Sequence, residues 1–395
     1  MKKLALILIG AAAAMLFASG ASHGSGQLVS PPNDTAPVWS PDGATIAYDG
    51  GGDYFAKTPD SVGLVSPAPP LDLRRIAPAA GGYIDAKIVF SPDSSQVAYE
   101  SDRQVGYSAL LSLAVASRDG TGQRDLIKDA VPLAWTSAGI VFSDPSGLGS
   151  IKPDGTGLRR FPAGVQGTPS PDASHFVSEQ DAGDGSILTV VRADGGVILT
   201  RQSGDRIGPP IWSADGTRLA YAAGNTIVVA GLDGSKRVFP RIYQPPTLAA
   251  WSPAGDTLLY ETTSLFALSL ATGKSMRIGP NVESPAYSPD GRFIAYAAQG
   301  PCLGYGGRTG IYVMRADGSG VRRLTNSCAI VGTPADDTLT GSPYFNIIEG
   351  VAGNDTLRSG DIYFEGDTLE GGAGDDTLVG GPYRDTLVGG PGDDR

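Results

Sequence analysis

The residues with the strongest claim to chemistry are acidic and sit at the end of the chain. Through residues 332–395 an Asp or Asn recurs as Asp337, Asn346, Asp355, Asp367, Asp376, Asp385 and Asp394, nine apart except for one step of twelve. Glycines such as Gly371, Gly374, Gly389 and Gly392 accompany them and let the backbone turn tightly enough to expose its carbonyls. Carboxylate and carbonyl oxygens are hard ligands, and Ca2+ takes about six to eight of them. The same 64 residues hold ten Asp and three Glu against three Arg and no Lys, a net of -10 out of -11 for all 395 residues. Such a balance excludes nucleic acid as a partner, because its phosphates need a Lys/Arg footprint.

Histidine chemistry is nearly excluded as well. The chain has only His23 and His175, whereas hydrolytic triads and most transition-metal sites need a placed imidazole. His175 is expected at an exposed blade position. No Gly-x-Ser-x-Gly elbow, phosphate-binding glycine loop or Cys-x-x-Cys pair is present. A histidine-independent glycosidase or lyase would use paired carboxylates, with Glu100, Asp102, Glu179 and Glu261 as candidates outside the repeated turns.

Those turns organise the larger part of the chain. An aromatic-Ser-Pro-Asp-Gly signature recurs at Trp39, Phe90, Trp135, Pro169, Trp212, Trp251 and Tyr287, in steps of 34 to 51 residues. A four-stranded propeller blade has about that length. An alternating apolar run follows most signatures, as in Arg218-Leu-Ala-Tyr221, and later an Asp-Gly pair such as Asp233-Gly234 suits a tight hairpin. A feature present in every unit serves the unit's geometry, so the aromatic is expected to pack between blades and the Asp to close a turn. Binding would then belong to loops that differ between blades, at the mouth of the channel.

These signatures resemble the TolB-type propeller repeats, and all seven units between 27 and 328 carry some version. TolB itself implies six blades and the count of signatures implies seven; the expected fold is all-β, a seven-bladed ring with six as the alternative. The resemblance also implies recognition of a protein at one face. The tail resembles the RTX, or haemolysin-type, repeat GGxGxDxUx, which implies a parallel β-roll over 332–395 with the eighth-position Leu or Ile inward. Nonads of one edge (GTPADD, GVAGND, GGAGDD, GGPGDD) stay near that pattern, and those of the other lose glycines and gain aromatics. Calcium is therefore expected along one edge, between Asp337 and Asp355, Asp355 and Asp376, and Asp376 and Asp394, with carbonyls near Gly371, Gly374, Gly389 and Gly392. Whether Asp367 and Asp385 also bind is left open.

Residues 1–21 read as a signal peptide: Lys2 and Lys3, an apolar run from Leu4 to Phe17, then Ser19-Gly20-Ala21. Cleavage would leave no stable membrane span and a secreted or cell-envelope protein, in which Cys302 and Cys328 form a disulfide. The tail ends inside a nonad, so a separate export role is not expected of it. The leading expectation is a non-enzymatic calcium-binding protein whose propeller recognises a protein or glycan. A further reading makes the roll a clamp over the last blade.

Overall fold

The computed structural model describes residues 34–50, 61–68, 73–76, 87–105, 108–280, 282–299, 309–325, 329–331, 335–340, 347–359 and 366–395. The leader, Cys302 and Cys328 lie outside the described residues. Among those described there is no helix. Seven four-stranded antiparallel sheets follow one another at 34–76, 88–128, 131–160, 168–203, 211–238, 247–279 and 283–323, here blades 1 to 7. The ring therefore has seven blades, one for each signature, and not six.

Within a blade the strands pair in sequence order, so each is an up-and-down meander. First strands of neighbouring blades touch and form the inner ring. Each seam between blades is filled by one apolar cluster. Val177, Leu188 and Val190 of blade 4, for example, pack on Leu219, Tyr221 and Val228 of blade 5. The ring closes in the same way: Trp39, Ile46 and Tyr48 of blade 1 meet Ala295, Ile311 and Leu324 of blade 7. No strand is exchanged across that seam among the described residues. Full burial of side chains such as Tyr48, Phe142 and Phe176 stabilises the ring by roughly 1.5–3 kcal/mol each.

The signature residues do what repetition implies. In blade 5 the Ser213 hydroxyl donates to Asp215 Oδ1 at 2.6 Å and accepts from the Arg218 amide at 3.0 Å, while the Thr217 amide donates to the same carboxylate at 3.0 Å. Gly216, at φ +68°, completes the turn. The indoles stitch the inner ring: Trp39, Trp212 and Trp251 donate from Nε1 to the carbonyls of Ala286, Thr168 and Ile211, each on the preceding blade, at 3.1 to 3.2 Å. The basic residues of the outer strands have a parallel task. Arg124, Arg201, Arg237 and Arg322 donate to Pro153, Gly234, Leu270 and Pro67, carbonyls in the third-to-fourth-strand turn of the next blade.

Hydrogen bonds to the ionised form hold Asp215 at about 2, the Ser213 hydroxyl contributing most, and Asp93 and Asp290 are held at about 2 by Ser91 and Ser288 first. A depressed carboxylate contributes stability above its unfolded value, near 4, and loses it as pH falls toward 2. Asp215→Ala is expected to cost about 0.5–1.5 kcal/mol at pH 6, and the difference from the parent protein should shrink at pH 2.5 in paired thermal melts. An equal difference at both pH values would contradict this role.

A meander of this kind has two unlike ends. One carries the short signature and Asp-Gly turns. The opposite end carries the second-to-third-strand hairpins and the crossings between blades, which differ in length and sequence from blade to blade.

Beyond blade 7 the strands become parallel. Ala329–Val331, Ile347–Glu349, Thr368–Glu370 and Thr386–Val388 form one sheet, and Thr338–Thr340, Thr356–Arg358 and Thr377–Val379 the other, with successive strands alternating between them. The period of nine arises from this alternation, one turn and one short strand per half coil. Register stacks Leu339, Leu357 and Leu378 in one column and Ile348, Leu369 and Leu387 in the facing one. Only Ile348, Leu357 and Leu369 of these are fully buried. So small a core leaves most of the ordering entropy of the roll to be offset by something other than apolar burial.

Candidate functional site

In the roll, the turns 350–355, 371–376 and 389–394 stack on one edge, with Asp336 and Asp337 beside them. Asp355 Oδ1 accepts the Asp337 amide at 2.8 Å, Asp376 Oδ1 accepts the Asp355 amide at 2.8 Å, and Asp394 Oδ1 accepts the Asp376 amide at 3.0 Å. The carboxylates named from the sequence are thus brought together in the expected order. Their second oxygens are what matter chemically. Asp355 and Asp376 are each 1% exposed, and the Oδ2 of each is buried with no hydrogen-bond partner. A buried, unmatched carboxylate oxygen is costly unless a cation faces it.

The glycines explain what room there is. A side-chain carbon at Gly371 would collide with Asp376 Oδ2 and stand 2.6 Å from the Gly389 carbonyl oxygen; one at Gly389 would collide with Asp394 Oδ2. Gly374, at φ +138°, and Gly392, at φ +157°, lie so close to the carbonyls of Gly353 and Gly374 that any side chain would strike them. At Gly350 and Gly371 the missing side chain lets an unmatched carboxylate oxygen, Asp355 Oδ2 and Asp376 Oδ2, lie close beside a backbone carbonyl of the next turn. Oxygen donors alone, some of them neutral carbonyls, suit Ca2+ and offer a transition metal neither nitrogen nor sulfur. The residues present fit calcium. No group of three or more His, Cys, Asp or Glu side chains gathers around one point among the described residues, so any cation here depends on backbone oxygens.

The other edge is built differently. Asp385 Oδ1 accepts the Asp367 amide at 2.7 Å, and its Oδ2 accepts the Gly381 amide of its own turn at 2.5 Å. Both oxygens are matched by amides, where the first edge leaves one bare. A second ladder on the consensus edge escaped the sequence reading. Asn354, Asp375 and Asp393 donate their amides to the side chains of Asp336, Asn354 and Asp375, at 2.7 to 2.9 Å. It runs opposite to the sixth-position ladder, and its signal was present as an Asp or Asn at the fifth position of every consensus nonad.

In the propeller, Glu100, Glu179 and Glu261 lie on strand faces turned toward three different seams. Strand parity puts Glu100 on the side of Ala98, toward blade 3, and Glu179 on the side of Val177, toward blade 5. Glu179 is exposed and accepts from Ser186 Oγ at 3.1 Å. Asp102 lies farther along the strand Gln96–Val105, opposite Leu111. Glu261 faces blade 7, where Glu283 joins it, a partner the sequence reading did not name. Its Oε1 is buried without a hydrogen bond, and burial first, then the Glu283 charge, pushes its carboxyl up to about 7. His175 is half-buried, not exposed as expected. Its Nδ1 lies 2.7 Å from Ser174 Oγ, which itself donates to Asp172, so the serine sits between acid and imidazole and the order of a nucleophilic triad is absent.

Comparison with known proteins agrees with this division. The family of the RTX calcium-binding nonapeptide repeat matches residues 331–361 and 366–395, in four copies. Over 110 residues the chain is 32% identical to the Tol-Pal system protein TolB of Francisella tularensis subsp. mediasiatica, and equally to that of subsp. holarctica. The match covers 25% of this chain and 24% of each relative, so the chain spans about a quarter of the length of the curated relatives it matches. Among solved structures, a puromycin-hydrolysing peptidase of Mycobacterium tuberculosis superposes with a TM-score of 0.54 at 15% identity, over 79% of this chain and 61% of that one. At that identity the likeness is one of fold. TolB from Acinetobacter baumannii has a TM-score of 0.40 at 11% identity, over 73% and 62%.

Proposed function

We propose that this is an exported calcium-binding protein in which a seven-bladed propeller serves as a recognition scaffold, for a protein or glycan, at the cell envelope or outside the cell. The observation that carries the calcium reading is the pair of buried, unmatched oxygens, Asp355 Oδ2 and Asp376 Oδ2, each brought beside a backbone carbonyl at a glycine whose side chain would displace them. Asp337, Asp355, Asp376 and Asp394 would hold the ions, with carbonyls from the turns containing Gly371, Gly374, Gly389 and Gly392. Bound calcium supplies positive charge between stacked carboxylates that otherwise repel. The asymmetry between Asp376 and Asp385 supports loading along one edge.

The scaffold reading rests on the local likeness to TolB and on the contrast between the two ends of the ring, one uniform and one variable. No helix among the described residues is long and apolar enough to cross a membrane. Circular dichroism and calorimetric titration of the full chain, with calcium and with chelator, test the proposal. Calcium at millimolar concentration is expected to add β signal and to raise stability in a saturable way; an unchanged spectrum and no binding heat would overturn it.

A second reading, a carboxylate-dependent glycosidase or lyase, is favoured by one observation, the raised carboxyl of Glu261 beside Glu283. A general acid needs that combination. Glu261 is turned into a seam, however, and Glu100 and Glu179 face other seams, so the recognition reading stands first.

A further inference from the structure

Among the described residues, the variable end of the propeller presents one aromatic side chain almost wholly to solvent: Tyr243 is 96% exposed. It lies at the apex of the crossing from blade 5 to blade 6, residues 239–246, and that crossing is fixed. The Ile242 amide donates to the Asn225 carbonyl at 2.8 Å, and Asn225 Nδ2 donates to the carbonyls of Ile242 and Tyr243 at 3.0 and 3.2 Å. Phe239 is buried at one end of the loop, and Ile242 packs on the seam cluster of blades 5 and 6. The loop is held from below while its ring points away, so a ligand would meet a preformed surface.

The surroundings are polar and balanced. Gly224, next to Asn225 at the hairpin tip, donates its amide to the Arg206 carbonyl at 3.2 Å, and the Asp205 carboxylate stands within 3.3 Å of where a side chain at Gly224 would begin. Arg206 pairs with Asp181 at 3.2 Å, their side chains 81% and 58% exposed. Arg241, also exposed, precedes the tyrosine by two residues. A strip across blades 4, 5 and 6 thus offers Asp181, Arg206, Asp205, Tyr243 and Arg241: two acids, two bases and one bare ring.

We propose that this strip binds a neutral oligosaccharide, a proposal that rests on the recognition-scaffold reading and assigns its ligand class. A sugar ring lays its C–H face on an aromatic plane, and its hydroxyls both donate and accept, which suits alternating carboxylates and guanidinium groups. A protein partner would ask for a contiguous apolar area, and among the described residues the other large exposed apolar residues of the ring, Leu158, Val197, Val238, Met276 and Val321, lie on or beside the outer strands. An acidic polymer would ask for net positive charge, and the strip has none.

The test uses the full chain in millimolar calcium, with chitotetraose, cellotetraose, maltotetraose and tetragalacturonate as probes in calorimetry. At least one neutral tetrasaccharide is expected to bind. Tyr243→Ala should weaken it by about tenfold or more, and Tyr243→Phe, which keeps the ring, should stay within about twofold. Neither variant should change the melting temperature, since the side chain is exposed. No binding of any neutral probe, or equally tight binding of tetragalacturonate, would overturn the proposal. Sugar binding that survives Tyr243→Ala would overturn this site while leaving the scaffold reading in place.

Discussion

Replacing Asp376 by Ala is expected to raise the calcium concentration needed to fold the roll by about 30- to 100-fold. Asp376 is the middle rung of the consensus edge. Its Oδ1 holds the Asp355 amide, its Oδ2 is one of the two bare oxygens, and its own amide is held by Asp394. Loss of a charged hydrogen bond costs about 1.5–3 kcal/mol, and each 1.4 kcal/mol is about tenfold in an equilibrium. The rungs on both sides of it lose a partner at once. Asp376→Asn keeps the acceptor and loses the charge, so its midpoint should fall between those of the Ala variant and the parent. Asp385→Ala, on the other edge, should leave the calcium midpoint within about twofold while weakening the roll at every calcium concentration, because it removes bonds to the amides of Asp367 and Gly381. The measurement is the β signal in circular dichroism against free calcium. Equal shifts from Asp376→Ala and Asp385→Ala would remove the distinction between the edges.

Glu261→Gln should make the propeller more stable, and only at neutral to alkaline pH. The folded carboxyl is raised from 4.5 to about 7 by burial and then by Glu283. Below about pH 4.5 both folded and unfolded chains hold the proton, and the group has no effect. Between about 4.5 and 7 the unfolded chain releases it first, so stability falls as pH rises; above about 7 the folded state bears the whole penalty. After allowance for solvent screening of a partly exposed side chain, the penalty is about 1–2 kcal/mol. Urea midpoints of the Gln variant should therefore exceed those of the parent at pH 8 and coincide with them at pH 4. A loss of stability at pH 8 would mean that ionised Glu261 has a counter-charge in the folded ring. The sign is opposite to that of Asp93, Asp215 and Asp290, whose stability is lost in acid. Together they give the propeller an acid limb from its turns and an alkaline shoulder from one seam.

The turn chemistry was legible because it is local. Ser213, Asp215 and Gly216 complete their bonds within the six residues from Ser213 to Arg218, so repetition in the sequence became repetition in space. Blade 6 confirms the logic: Ala254 stands at the Asp position, and Asp256, two residues on, takes the Ser252 hydroxyl instead at 2.8 Å. The sixth-position carboxylates were legible for a related reason, since a fixed period of nine on a parallel stack can place them only above one another. Contacts between elements without a period were hidden. Arg201 reaches Gly234 across 33 residues and Glu283 meets Glu261 across a seam. Which seam a side chain enters depends on strand parity and twist, and residue type does not reveal it. Asp385 illustrates the remaining difficulty: it shares its motif with Asp376, and only the Gly381 amide folding back on it separates the two.

Among the described residues the ring closes without an exchanged strand, which bears on how such a chain can change over generations. Each blade is a continuous stretch with its own four strands, and the seam between blades 7 and 1 is the same kind of apolar contact as the other six. Duplication or deletion of one blade-length segment would therefore insert or remove a complete wedge without orphaning a strand elsewhere. A ring latched by a strand from its far terminus has to preserve both ends together. Here the count of blades is a property of the wedge angle and can drift, which is one physical route by which seven signatures can share a local likeness with a family that implies six.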